Sequence, residues 1–225
     1  MWNESDKQGF EEANSQQYGQ FSKNTDCWNL MKELAQDLNN ETLLEVGTWN
    51  GYGSTMAIVE GLRTRPNSNY IFYSLECNKE KHLAASKLYK DDKNVHILNE
   101  VLTKLPLEII AKKFPFIKEE DGKFHEWAEL DYQNCESCEL FWGKRLASKK
   151  IFDVVILDGG EYTTWFEFLL LKNKTNIFVL DDTRSVKNKD AYADLLEDSE
   201  WIHTARMFDN DTTDVFMRKN RLSLS

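Results

Sequence analysis

The sequence predicts a single α/β domain, a mostly parallel sheet with helices on both faces, closed by an antiparallel hairpin. Three observations carry this. Short apolar runs alternate with stretches of helical periodicity. An acidic residue stands at or just beyond the end of each of the first five runs. The last two runs are separated by Asp209, Asn210 and Asp211, residues with turn chemistry.

The elements follow in order. Met31, Leu34, Ala35 and Leu38 share one helix face, and Asn39-Asn40 ends that helix. Thr42–Val46 reads as a buried strand entering a glycine turn, and Ser54 caps a helix through Leu62. Tyr70–Leu75 is a strand, Lys79–Tyr89 a helix, and Val95–Leu98 a third strand. Leu107, Ile110, Ala111 and Phe114 again have helical spacing. Phe152–Leu157 is a strand, Trp165–Leu171 a helix, Ile177–Leu180 a strand and Asp190–Leu196 a helix. Trp201–Phe208 and Asp214–Arg218 form the closing hairpin, which brings the count to seven strands. Residues 118–150 break the alternation. They are polar, rich in aromatics (Phe124, Trp127, Tyr132, Phe141, Trp142), and longer than an ordinary loop, so they read as a lid or as a decorated surface loop.

Composition narrows the partners. The 225 residues are 41% hydrophobic, enough for one packed core, and the net charge of −10 disfavours nucleic acid and anionic membrane surfaces. No apolar run reaches the ~20 residues that span a bilayer, and the polar start lacks the pattern of a signal peptide. An intracellular, cytoplasmic protein is the expectation. Cys135 and Cys138 form a C-x-x-C, read as ordinary thiols or half a zinc site, with Cys27 and Cys77 far away in sequence. His82 and His96 read as structural; His125, inside the insertion, could face an acceptor.

Ligands of an open α/β sheet bind beyond the carboxyl ends of its strands. Those ends carry Glu45-Val46-Gly47, Glu76, Asn99-Glu100, Asp158-Gly159-Gly160-Glu161 and Asp181-Asp182. After the first strand, Gly47 permits a tight turn and Gly51 the close approach of a ligand, in the order G-x-x-x-G-x-G rather than the dinucleotide G-x-G-x-x-G. The Glu45 carboxylate suits a cationic ligand better than a pyrophosphate. Glu76, 25 residues beyond Gly51, can accept both hydroxyls of an adenosine ribose.

The run Leu43-Leu-Glu-Val-Gly-Thr-Trp-Asn-Gly-Tyr-Gly resembles motif I of the class I S-adenosylmethionine-dependent methyltransferases, with Trp49 where the motif usually has its second glycine. Glu76 sits where that superfamily has its ribose-binding acid, and the resemblance covers roughly Leu30 to Lys219. It implies a Rossmann-like seven-stranded fold and S-adenosyl-L-methionine as cofactor. The cofactor residues would be Glu45, Gly47, Thr48, Trp49, Asn50, Gly51, Ser54, Glu76 and Asn99. Residues 1–40 would form a helical segment covering the cofactor, with Tyr18, Gln20 and Phe21 before the first helix.

Asp158, Asp181 and Asp182 resemble the metal site of the metal-dependent O-methyltransferases of the catechol and sugar types. This implies Mg²⁺ or Mn²⁺ on those three acids, Asp158 taking part in catalysis, and a small-molecule or glycan hydroxyl as acceptor. The sugar-type base is an aspartate at the position of Gly160, a departure here, so Glu161 becomes the candidate base. Alternatively, Asp181-Asp182 caps a helix or faces solvent in a metal-free methyltransferase. Two further readings stay open: a NAD- or nucleotide-binding Rossmann-type protein, and a binding module that keeps the fold without turnover.

Overall fold

The computed structural model describes residues 22–118, 123–141, 151–208 and 212–222. Its main sheet has seven strands: β1 (Thr42–Val46), β2 (Ile71–Leu75), β3 (Val95–Leu98), β6 (Phe152–Leu157), β7 (Thr175–Leu180), β8 (Trp201–Met207) and β9 (Thr213–Arg218), in the spatial order β3-β2-β1-β6-β7-β9-β8. The first five run parallel, and β9 is antiparallel to both β7 and β8. The hairpin therefore does more than decorate an edge. Its second strand inserts between β7 and the first, so β9 alone runs against the rest.

The central strands are buried on both sides, which is why their sequences read as continuous apolar runs rather than as alternation. The pairing of Leu43 with Val154 faces one core, with Trp28, Met31, Ile58 and Phe72. The next pair, Leu44 with Val155, faces the other, with Phe168, Leu171, Phe178 and Leu195. Helix α1 (Asp26–Gln36) packs on α2 (Ser54–Arg63) over the first core, and the Thr25 side chain caps α1 by accepting from the Trp28 amide. Helix α3 (Lys79–Tyr89) starts at Asn78, whose side chain accepts from the amides of Glu80 and Lys81. Among the described residues, no helix is long and apolar enough to cross a membrane.

Within 118–150, the described residues 123–141 form regular structure. They hold α5 (Lys123–Ser137), a 15-residue helix, and β5 (Glu139–Leu140), which pairs in parallel with β4 (Glu100–Val101) as a second, two-stranded sheet. A shorter helix, α4 (Leu107–Lys113), precedes it, and α6 (Thr164–Leu171) and α7 (Lys189–Glu197) follow. The signal for α5 is present in the sequence. Ala128, Asp131, Cys135 and Cys138 lie at i, i+3, i+7 and i+10, one helical face, but an acid at its centre hides the pattern.

Phe141 is fully buried against Tyr73, and the Tyr132 hydroxyl donates to Glu136 on the helix surface. The side chains of Phe124 and Trp127, all of Trp142, the hairpin turn Asp209–Asp211 and the segment with Tyr18, Gln20 and Phe21 lie outside the described residues.

Candidate active site

The chain leaves β1 toward β2 on one side and β6 on the other, so a crevice opens where their carboxyl ends diverge. There lies a cavity of about 580 Å³, within the usual range of small-molecule sites. The turn after β1 forms one wall, Glu76 to Asn78 a second, and Asp158 to Gly160 with Lys187 a third; Leu130, Asp131, Asn134 and Cys135 of α5 close over it.

The turn after β1 is set by its backbone. Gly47 has φ +97°, its amide donates to the Leu75 carbonyl, and a Cβ there would run into the Asp158 carbonyl. Trp49, where the family motif usually has glycine, keeps a glycine-like φ of +53°. Its ring is half exposed beneath the Lys81 ammonium, 3.9 Å from the ring centre. Gly51 serves a different end from the one expected. A Cβ at that position would meet Ala85 and Tyr89 of α3, so the missing side chain admits a helix rather than a ligand.

Glu45 is also turned away from the cavity. Fully buried, its carboxylate accepts from the hydroxyls of Ser54 (2.6 Å), Thr55 (2.6 Å) and Ser74. Burial raises its pKa, which those hydroxyls oppose. It holds β1, β2 and the start of α2 together beneath the turn. Asn99 likewise acts inside the wall, donating to the carbonyls of Glu76 (2.7 Å) and Cys77 (3.1 Å). Thr48, Trp49, Asn50 and Ser54 do line the cavity, with Tyr52 and Gly53.

Glu76 faces the cavity with both oxygens placed. One accepts from the Trp49 amide at 2.7 Å and the other from the Asn78 amide at 2.8 Å. Each oxygen keeps a further lone pair for a donor from the cavity. Burial pushes its pKa up to about 7 against the pull of those two amides.

The opposite side collects acids from two strand ends and two helices. Asp158, Asp181 and Asp182 offer oxygens that all lie within 4.8 Å of one another, the distribution expected of a hard-cation site. Lys187, which the sequence reading passed over, already stands among them. Its ammonium donates to Asp158, to Asp182 at 3.1 Å and to Asp181 at 3.4 Å. Burial would pull this ammonium's pKa down, but the three carboxylates outweigh it and hold the pKa well above the usual value. Burial also raises Asp181, with Asp158 adding to the effect. With Lys187 in place, the three acids do not fit a divalent ion.

Asp131 and Glu167 are two cavity acids that the sequence reading missed. The Asp131 carboxylate fills the space that a side chain on Gly160 would take, 2.6 Å from the position of its Cβ. Burial pushes Asp131 up to about 6, with Glu161 adding to the rise. Glu161 itself is not part of the cavity lining. Glu167 is 4% exposed; one of its oxygens has no hydrogen-bond partner, and burial pushes it up to about 8. Only spacing along α5 pointed to Asp131, and Glu167 is a lone acid in an apolar helix, a pattern that gains meaning only beside a cavity.

Of the cysteines, Cys77 and Cys135 line the cavity and pack with Cys138 and Val101, while Cys27 donates to Thr213 far from it; all four are free thiols. His125 bonds to the Ile117 carbonyl at 2.9 Å and does not line the cavity.

No protein-family model matches the chain, and no curated protein does. Solved structures match its fold over nearly all its length. One is an O-methyltransferase from Bacillus cereus in complex with S-adenosylhomocysteine (TM-score 0.58, 15% identity, 96% of this chain and 90% of that one). A second is TomG from Streptomyces achromogenes, an O-methyltransferase involved in tomaymycin synthesis, in complex with S-adenosylmethionine (TM-score 0.59, 13% identity, 97% and 91%). A third is a methyltransferase from Podospora anserina bound to S-adenosylhomocysteine (TM-score 0.56, 15% identity, 97% and 89%). The chain has the Rossmann-like fold of these methyltransferases.

Proposed function

We propose that this protein is an S-adenosylmethionine-dependent O-methyltransferase acting on a hydroxyl of a small molecule or of a terminal sugar, in the cytoplasm. The observation that carries the reading is a single cavity with Glu76 and the glycine turn at one end and a cluster of carboxylates at the other. A buried carboxyl oxygen without a partner, on Glu167, suits a ligand that brings a hydrogen-bonding group, and S-adenosylmethionine brings an ammonium and a carboxylate.

Bound there, the cofactor supplies an electrophilic methyl group. The protein's own part is positional and electrostatic. Glu76 receives the ribose hydroxyls on its remaining lone pairs, and Trp49 shields the open side of the turn. Asp131 is the proposed base. It lines the cavity, and its pKa of about 6 leaves it ionised at neutral pH yet close enough to take a proton from an acceptor hydroxyl. Glu161 stays the less suited candidate, since it is not part of that lining. Helix α5 covers the acceptor end, excluding water and holding the hydroxyl in line with the methyl group. The metal-assisted form of the reaction requires Lys187 to leave the acid cluster; the metal-free form, which Lys187 favours, does not.

The test is a calorimetric titration with S-adenosylhomocysteine on the wild type and on Glu76→Ala. Saturable binding, weakened about 10- to 100-fold in the variant, is the expected result for loss of a charge-assisted hydrogen-bond pair. A well-folded wild type that ignores S-adenosylhomocysteine and binds NAD instead would replace this reading with the dinucleotide one.

A further inference from the structure

We infer that Lys187 is the resident cation of the Asp158, Asp181 and Asp182 cluster, standing where a divalent metal ion would bind, so that methyl transfer proceeds with no metal on these three residues. The chemical meaning of the inference rests on the methyltransferase reading; its test does not.

An ammonium has three N–H donors, and here there are three carboxylates for them. They come from the end of β6 and from the two residues after β7, and the ammonium reaches all three. The side chain is not a surface lysine that has swung inward. It is 7% exposed, and its backbone is fixed by its own loop. The Asn188 amide bridges the carbonyls of Leu157 and Asp181, tying the ends of β6 and β7 to the residue after Lys187. The Ser185 hydroxyl donates to the Asp182 carbonyl and accepts from the Lys187 amide. Asp182, at φ +54°, takes the sharp turn that lets six residues fold back over the strand ends. Asp181 is further held by the Thr213 hydroxyl at 2.9 Å.

A divalent ion entering this cluster would have to expel the ammonium or share the space with it. A buried ammonium deprived of its carboxylates bears a desolvation cost that its own Coulomb attraction now offsets. The lysine thus does two things a metal would do. It neutralises acids that would otherwise repel one another, and it keeps a fixed positive charge beside the cavity, where an acceptor oxygen gains negative charge as its proton leaves.

The experiment uses the full, metal-stripped chain and Mn²⁺ alone as probe, reading free Mn²⁺ by electron paramagnetic resonance. Wild type should leave millimolar Mn²⁺ free, whereas Lys187→Met should bind it at least about tenfold more tightly, and Lys187→Met with Asp182→Asn should lose that gain. Lys187→Arg, which keeps the charge, should stay silent. Mn²⁺ captured by the wild type and released by Asp182→Asn overturns the inference, and that arm stands even where Lys187→Met does not fold. A folded Lys187→Met that also leaves Mn²⁺ free overturns it too, because the three acids would then be no cation seat. S-adenosylhomocysteine titrated into the same wild-type sample reports on the methyltransferase reading separately.

Discussion

Acids stand at the ends of β1 and β2, and acids stand at the ends of β6 and β7, yet the two sets are treated differently. At the first end, Glu45 and Glu76 are held by neutral donors, hydroxyls for one and backbone amides for the other. At the second, Asp158, Asp181 and Asp182 are held by one ammonium, while Asp131 and Glu167 beside them have their pKa values raised by burial. Neutral donors fix Glu76 in place and leave lone pairs for a ligand's hydroxyls, although burial raises its pKa as it raises those of Asp131 and Glu167. A shared cation and unmatched burial leave groups whose protonation responds to what enters, which suits proton transfer. On the proposed reading, acids around one cavity serve binding at Glu76 and chemistry at Asp131, according to their partners.

The largest expected effect breaks the chemical end alone. Asp131→Asn should lower kcat by about 10²- to 10⁴-fold while leaving S-adenosylhomocysteine affinity within a factor of a few, measured by steady-state kinetics and calorimetry. In the wild type, kcat/KM should fall as pH drops through about 6, because the base must be ionised, and that limb should vanish in the variant. An unchanged limb would assign the proton to another group, Glu161 first.

Gly47→Ala should break the binding end. The new Cβ meets the Asp158 carbonyl in a left-handed backbone conformation, so a loss of about 2–4 kcal/mol in unfolding free energy is expected, together with weaker S-adenosylhomocysteine binding. Denaturant titration reads the first and calorimetry the second. A full-stability variant would mean that the turn and the end of β6 separate at little cost.

The smallest effect sharpens the comparison. Glu167 keeps its proton in the folded state up to about pH 8 but loses it near its ordinary carboxylate pKa when unfolded. Its contribution is complete below that ordinary value and is lost as pH rises through about 8. Glu167→Gln should therefore flatten the decline in stability between about pH 4.5 and pH 8, with a gain on the order of 1–3 kcal/mol above pH 8. An identical decline over that range in wild type and variant, read by denaturant titration, would show that the loss arises elsewhere.

The sequence by itself determined the seven strands of the main sheet and the helices between them, α5 and the β4–β5 pair aside, because each buried strand of a parallel sheet is an apolar run and each helix repeats its apolar positions at a fixed spacing. It also placed Glu76, Asp158, Asp181 and Asp182 at one edge, since strands running the same way end on the same side. Direction and company were beyond it. Only the tertiary structure turned Glu45 inward onto three hydroxyls, gave the space at Gly51 to α3, and put α5, with Asp131, over Gly160. It alone brought Lys187 back from six residues past Asp181 into the acids. The physical reason is that periodicity records whether a side chain is buried, whereas the partner of a buried charge lies across a fold that the local pattern does not encode.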